Sequence, residues 1–168
     1  FENIDDPETI GKLEDPKKTP IFTMGRLDKI KNITALVKWF GENQKINEQA
    51  NLIVIAGKIN PEDSSDLEEK DQILVMHDLI NRYKLQNKIR WIGKLLRKDK
   101  SGEIYRVVAD CKGIFVQCGL FEGFGLTVIE SMRSGLPTFA TLYGGPLEII
   151  EDKKSGFLID PIEEKESQ

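Results

Sequence analysis

A parallel β-sheet covered by helices on both faces is predicted by three features of the 168-residue sequence. Short apolar runs without polar alternation recur along it, the first three end in glycine, and each run is followed by a segment with apolar residues at helical spacing. Strands buried on both faces need no polar side, whereas an antiparallel sheet open to water alternates apolar with polar. The composition agrees: 39% apolar and 31% charged residues with 14 Gly and 7 Pro suit one ordinary globular domain with a real core.

Residues 1–19 combine prolines with many charges and no sustained period, and read as an extended or partly ordered lead-in ahead of the core. PIFTMG (20–25) is the first strand, and Ile33, Leu36, Val37 and Phe40 form the apolar stripe of a helix with Asn32 as its N-cap. NLIVIAG (51–57) repeats the strand, and 66–83 repeats the helix through Leu67, Ile73, Leu74, Leu79 and Ile80. KIRWIG (88–93) and an amphipathic 103–108 follow, then GIFVQC (113–118) with 126–134, LPTFA (136–140) with 146–150, and a last short run at 156–160. The sum is a Rossmann-like α/β domain over 20–161, with 162–168 as a truncated tail. Ligands of such sheets sit outside the carboxyl ends of the strands, so the residues just after each apolar run carry the information.

Acidic residues outnumber basic ones by 28 to 24, which disfavours a broad electrostatic grip on nucleic acid or on an anionic membrane. No stretch approaches a membrane span, and the first residues lack the basic and apolar regions of a signal peptide, so a cytoplasmic location is expected. The sequence begins at Phe1 rather than Met, consistent with a piece of something longer. Cys111 and Cys118 match no disulfide framework or metal spacing and read as buried thiols; His77 is the single histidine, which argues against a triad or a histidine-rich metal site.

Two segments can carry chemistry. Gly25-Arg26-Leu27-Asp28-Lys29-Ile30-Lys31-Asn32 places cations at the mouth of the sheet before a helix, where Arg26 offers a fork of donors and Lys31 a compact charge to a phosphate. A solvated basic turn would look the same. The glycine pattern is neither that of dinucleotide enzymes nor a P-loop, which counts against NAD and ATP hydrolysis. Gly119-Leu120-Phe121-Glu122-Gly123-Phe124-Gly125-Leu126-Thr127-Val128-Ile129-Glu130 opens a helix with two glycines, so that the N–H groups of Gly125, Leu126 and Thr127 are free for phosphate or hydroxyl oxygens. Eight helical steps would separate Glu122 from Glu130 by roughly 12 Å, more than glycosidase acid/base pairs use; two grips on one long ligand fit better, with a capping and a solvated carboxylate as the plain alternative. Gly144-Gly145-Pro146 is either a further ligand loop or only a helix start, and the charge of KLLRKDK (94–100) reads as mostly solvated.

Taken together, FTMGRLDKIKN, EGFGLTVIESMRSGLPTFAT and GGPLEIIEDKKSGFLIDP resemble the donor-binding half of retaining glycosyltransferases with the GT-B fold, and within them the sucrose synthase family. The resemblance runs from about residue 20 to 161. It implies one half of a GT-B fold and a reversible glucosyl transfer between sucrose and a nucleoside diphosphate, giving the nucleoside-diphosphate glucose and fructose. It further implies that Arg26 and Lys31 hold the diphosphate and stabilise the leaving group, that Glu122 holds the glucose and Glu130 the ribose, and that Gly25 and the backbone of Phe124, Gly125, Leu126 and Thr127 line the donor site. No cofactor or metal is implied, because protein cations neutralise the diphosphate. A cytoplasmic homo-oligomer is implied for the intact enzyme.

Two departures from that family matter. Plant-type members carry a glutamine and an asparagine around the uracil, where this sequence has Leu95 and Ser101, so uracil discrimination is expected to weaken and ADP to serve as well as or better than UDP. The half that supplies the acceptor site and a catalytic histidine lies outside the resemblance, and His77 is no substitute; the chain alone is expected to bind nucleotide without catalysing transfer. Sucrose-phosphate synthase, another retaining GT-B enzyme, or a non-catalytic nucleotide-binding module are the competing readings.

Overall fold

The computed structural model describes residues 6–94 and 98–162. Strand β1 (Thr9–Ile10) leads into β2 (Thr19–Gly25), helices α1 (Ile33–Glu42) and α2 (Gln44–Gln49), β3 (Ala50–Ala56), α3 (Leu67–Arg82), β4 (Ile89–Ile92) and α4 (Lys98–Asp110). They are followed by β5 (Ile114–Gln117), α5 (Leu126–Arg133), β6 (Thr138–Thr141), α6 (Pro146–Ile149) and β7 (Phe157–Ile159). The strands form one sheet in the order β1-β4-β3-β2-β5-β6-β7, parallel throughout except for β1, which runs antiparallel to β4 at the edge.

Both faces are covered, for a reason visible in β3. Leu52, Val54 and Ala56 pack with Leu36, Val37 and Phe40 of α1 and with Ile73, Met76 and Ile80 of α3, while Ile53 and Ile55 point to the other face with Tyr105 and Val108 of α4. Val128 of α5 packs on Ala140 of β6. Each fully buried Val, Leu, Ile or Phe contributes about 1.5–3 kcal/mol, so the unalternating apolar runs are the condition for a two-sided core. Helix α3 shows local encoding most clearly: Asp66 accepts from the Glu68 N–H (2.8 Å) at its start, Glu68 and Glu69 lie in its first turn and Arg82 in its last, each at the end its charge favours.

Three expectations need correction. From residue 6 on, the lead-in is built into the domain: Thr9 and Ile10 pair with Ile92 and Trp91, Leu13 is buried, and Arg90 and Asn51 donate to the carbonyls of Gly11 (2.7 Å) and Asp15 (2.8 Å). Too few apolar residues stand there to give a period, so the pairing partner decides. Asn32 occupies the N-cap position of α1 but does not cap with its side chain; its φ is 55° and its Nδ2 donates instead to the Cys118 carbonyl (3.1 Å). Cys118 is buried as expected, but Cys111, at the turn after α4, is exposed.

From β2 the chain runs outward through β3 to β4, returns past β2 to β5, and continues the other way through β6 to β7. The loops leaving the carboxyl ends of β2 and β5 therefore diverge to opposite sides, and a crevice opens between them.

Candidate functional site

One wall of this crevice is the loop after β2. Leu27 is buried and anchors it, and Glu68 of α3 accepts from the Lys29 N–H (2.9 Å). Asp28 organises both cations: Oδ1 accepts from the Lys31 N–H (2.7 Å) and Oδ2 pairs with the Arg26 guanidinium (3.1 Å). The Arg26 side chain remains 75% exposed, whereas that of Lys31 is 25% exposed and turns into the crevice.

The other wall is the loop after β5, and Glu122 is its centre. Its side chain, 12% exposed, accepts from Lys31 Nζ (2.7 Å) and Gln117 Nε2 (3.2 Å) on Oε2 and from the Gly125 N–H (3.2 Å) on Oε1. Its backbone is clamped by the loop after β6: the Glu122 N–H donates to Tyr143 O (3.0 Å) and the Gly145 N–H to Glu122 O (2.7 Å). Gly144 has φ 101°, and a Cβ there would overlap the Glu122 carbonyl, so only glycine fits. Burial acts to raise the Glu122 pKa, but the Lys31 ammonium, with the N–H groups of Gly125 and Phe124, outweighs it and holds the carboxyl below its ordinary value. The two segments singled out from the sequence thus meet through the Lys31–Glu122 ion pair, 91 positions apart in the chain.

Other positions depart from expectation. The Gly125 N–H is taken by Glu122 rather than free; those of Leu126 and Thr127, in the first turn of α5, have no carbonyl one turn back within the helix. Helix α5 starts only at Leu126, so the separation of Glu122 from Glu130 is not that of eight helical steps. Phe124, Leu126 and Glu130 are exposed, Gly25 and Thr127 half-buried. Ser101 is a half-buried residue of α4, and Leu95 lies outside the described residues. Lys94 is not simply solvated: it pairs with Asp6 (2.5 Å) and Glu8 (3.2 Å) of the lead-in. His77 donates from Nε2 to the Ile59 carbonyl (2.7 Å) and packs edge-on to Trp91, a structural arrangement. Gly144-Gly145-Pro146 is a helix start, with Gly145 at the N-cap and Pro146 in the first turn of α6, and the glycine pair also packs on the Glu122 loop. Asp28 and Gln117 were not anticipated; for Gln117 the signal was an amide closing an otherwise apolar strand.

The glycosyl transferases group 1 model matches residues 5–167. A sucrose synthase of Melioribacter roseus is 62% identical over 167 residues, covering 99% of this chain and 21% of that protein. Sucrose synthase 6 of Oryza sativa is 53% identical over 99% of this chain and 20% of its own length, so the chain spans about a fifth of the curated relatives it matches. Among solved structures, the C-terminal domain of a group 1 glycosyl transferase from Francisella tularensis superposes with a TM-score of 0.70 at 26% identity, over 93% of this chain and 72% of that one. The Anabaena HepE protein in complex with UDP superposes at 0.71 with 23% identity, over 90% and 37%, a likeness of fold. In sequence over nearly its whole length and in architecture, the chain belongs to the glycosyl transferases group 1 family.

Proposed function

We propose that this chain is the nucleotide-sugar-binding half of a sucrose synthase, in which a nucleoside diphosphate and sucrose exchange a glucosyl group reversibly to give the nucleoside-diphosphate glucose and fructose. The observation that carries the reading is the Lys31–Glu122 pair at the switch point of the sheet, with Arg26 exposed beside it. An ammonium has three N–H donors and spends one on Glu122, so Lys31 can hold a phosphate oxygen without leaving its partner. Among the described residues Arg26 pairs with Asp28 alone, and its solvent-exposed guanidinium is able to swing onto the diphosphate. As the glycosyl–phosphate bond breaks, negative charge grows on the phosphate, and both cations stabilise it there.

Glu122 accepts a glucose hydroxyl beside Lys31, the first N–H groups of α5 meet the donor's oxygens, and Glu130, one turn into that helix, takes the ribose. The names of the relatives at up to 62% identity and the UDP bound by the Anabaena neighbour support a nucleotide-sugar donor. The acceptor side, the catalytic histidine and the homo-oligomer belong to the rest of a polypeptide of the relatives' length, working in the cytoplasm; the chain alone binds without turnover. Leu95 and Ser101 at the base leave ADP accepted as well as or better than UDP.

Calorimetric titration of the chain with UDP, ADP and GDP tests this. Saturable binding that weakens by on the order of 100-fold in the Arg26→Ala/Lys31→Ala variant supports the diphosphate site. No binding to any of the three by the chain or by the longer polypeptide overturns the reading. A preference of about tenfold (~1.4 kcal/mol) or more for UDP over ADP overturns the base assignment alone, and sucrose cleavage by the 168-residue chain overturns its dependence on a second half.

A further inference from the structure

We propose that Gln117 is a positioning residue of this site: its amide, anchored on the backbone of β6, sets the orientation of the Glu122 carboxylate and through it the place of the Lys31 ammonium. The inference rests on the donor-site reading above and adds a residue to it.

Gln117 closes β5 in register with Ala140 of β6 and is 5% exposed. A buried amide in an apolar strand is costly unless both its ends are hydrogen-bonded. Both are. Oε1 accepts from the Thr141 N–H (3.3 Å), and Nε2 donates to Glu122 Oε2 (3.2 Å). The two partners are chemically opposite, since a backbone N–H only donates and an ionised carboxylate only accepts, so the amide has one orientation and a flip would break both bonds. The anchor is rigid because Thr141 is itself a fully buried residue of β6. The oxygen that Gln117 holds is the one that binds Lys31 (2.7 Å), so the amide and the ammonium converge on one atom.

The neighbouring residues leave room for this amide. A Cβ at Gly119 would come within 2.6 Å of Gln117 Nε2 and 3.0 Å of the Ile30 carbonyl. Ile30 O accepts from the Leu120 N–H (2.8 Å), so the loops after β2 and β5 cross at Gly119, next to the amide. Gln117 thus links three loops: after β5 through its own chain, after β6 through Thr141, and after β2 through Glu122 and Lys31. Among the described residues, Lys31 is the ionised side chain bonded to Glu122 from the β2 side, and the α5 side presents N–H groups.

The test uses Gln117→Leu and Gln117→Glu in the intact chain, with UDP-glucose as the probe because it has no ionisation between pH 5 and 8. Gln117→Leu is expected to weaken UDP-glucose about tenfold at every pH, the loss of roughly one hydrogen bond to a charged group. Gln117→Glu keeps the shape. Beside Glu122 its carboxyl retains a proton to higher pH, and the protonated form still donates, so affinity is expected to match the parent at pH 5 and to fall about tenfold by pH 8. Equal affinity of all three proteins, or equal loss in both variants at every pH, overturns the proposal, because a merely structural role would not follow the proton.

A second readout needs no ligand. Carboxyl-carbon NMR titration of Gln117→Glu should show the pair at 117 and 122 releasing protons in two separated steps. If the parent does not bind UDP-glucose, the donor-site reading fails by itself, and the titration still decides on Gln117: two carboxyls titrating independently overturn it.

Discussion

The two walls of the crevice are built by opposite means. The wall after β2 is made of side chains: Arg26 reaches into solvent, Asp28 pairs with it, and Lys31 turns inward onto Glu122. The wall after β5 is made of backbone: Glu122 is hydrogen-bonded on its N–H, its C=O and its carboxylate, and Gly144 admits no side chain against it. A group that must follow a moving charge is best carried on a long, partly solvated chain, while one that must keep its geometry is best locked by short hydrogen bonds to fixed backbone. Arg26 is therefore adjustable, while the carboxylate is pre-set with Lys31 held on it, and substitutions on the two walls should fail differently.

The largest effect is expected on the rigid wall. Gly144→Ala places a Cβ into the Glu122 carbonyl at a positive φ and should cost ~3–4 kcal/mol of stability, read as a shift of the urea midpoint, with loss of nucleotide binding. If it unfolds like the parent, the backbone clamp is not what holds Glu122. On the adjustable wall the order of effects reverses: Arg26→Ala with Lys31→Ala should weaken UDP by on the order of 100-fold, two charge-assisted contacts. Arg26→Ala alone should change stability by less than ~0.5 kcal/mol, because the Arg26 end of its pair with Asp28 lies in solvent.

Acid sharpens the comparison further. The Glu122 carboxyl is held below its ordinary value of 4.5 in the folded chain, so its contribution to stability is fully present above that value and is lost as pH falls through the lower native one. Glu122→Gln should flatten that part of the stability profile between pH 5 and 3, and a profile parallel to the parent's would contradict the ion pair.

Away from the crevice the effects are small. Burial pushes the Cys118 thiol up to about 12, and it donates to the Asn32 carbonyl (3.3 Å), while Cys111 is exposed; a thiol reagent at pH 8 should modify Cys111 rapidly and Cys118 only on unfolding. Among the described residues the buried Tyr105 hydroxyl has no partner within ordinary hydrogen-bond distance, and burial, then the nearby Glu130 carboxylate, push its pKa up. Tyr105→Phe should leave stability unchanged or raise it by up to ~1 kcal/mol in urea unfolding, since the buried hydroxyl is desolvated and makes no close hydrogen bond to offset that.

Much of this was legible in the sequence. The strands from β2 to β7 stand where apolar runs stand, because a sheet covered on both sides can be built from nothing else. The short helix α2 was not: its six residues are too few for a period, and it is held by Asn43 accepting from the Ile46 N–H (3.1 Å) and by buried Asn47 donating to the Phe40 carbonyl (3.1 Å). The edge strand β1 escaped for the same reason, and so did the exposure of Cys111, which depends on where α4 ends.

What the sequence determined by itself is local: which stretches are strands, which are amphipathic helices, and that cations follow one strand while a glycine-framed carboxylate follows another. Apolar periodicity and strand-end chemistry act over a few residues and can be read from them. That Lys31 meets Glu122, that Gly144 clamps it and that Gln117 aims it were decided only by the tertiary structure, because the strand order brings the ends of β2, β5 and β6 side by side, and hydrogen bonds between groups far apart in the chain form only once that order exists.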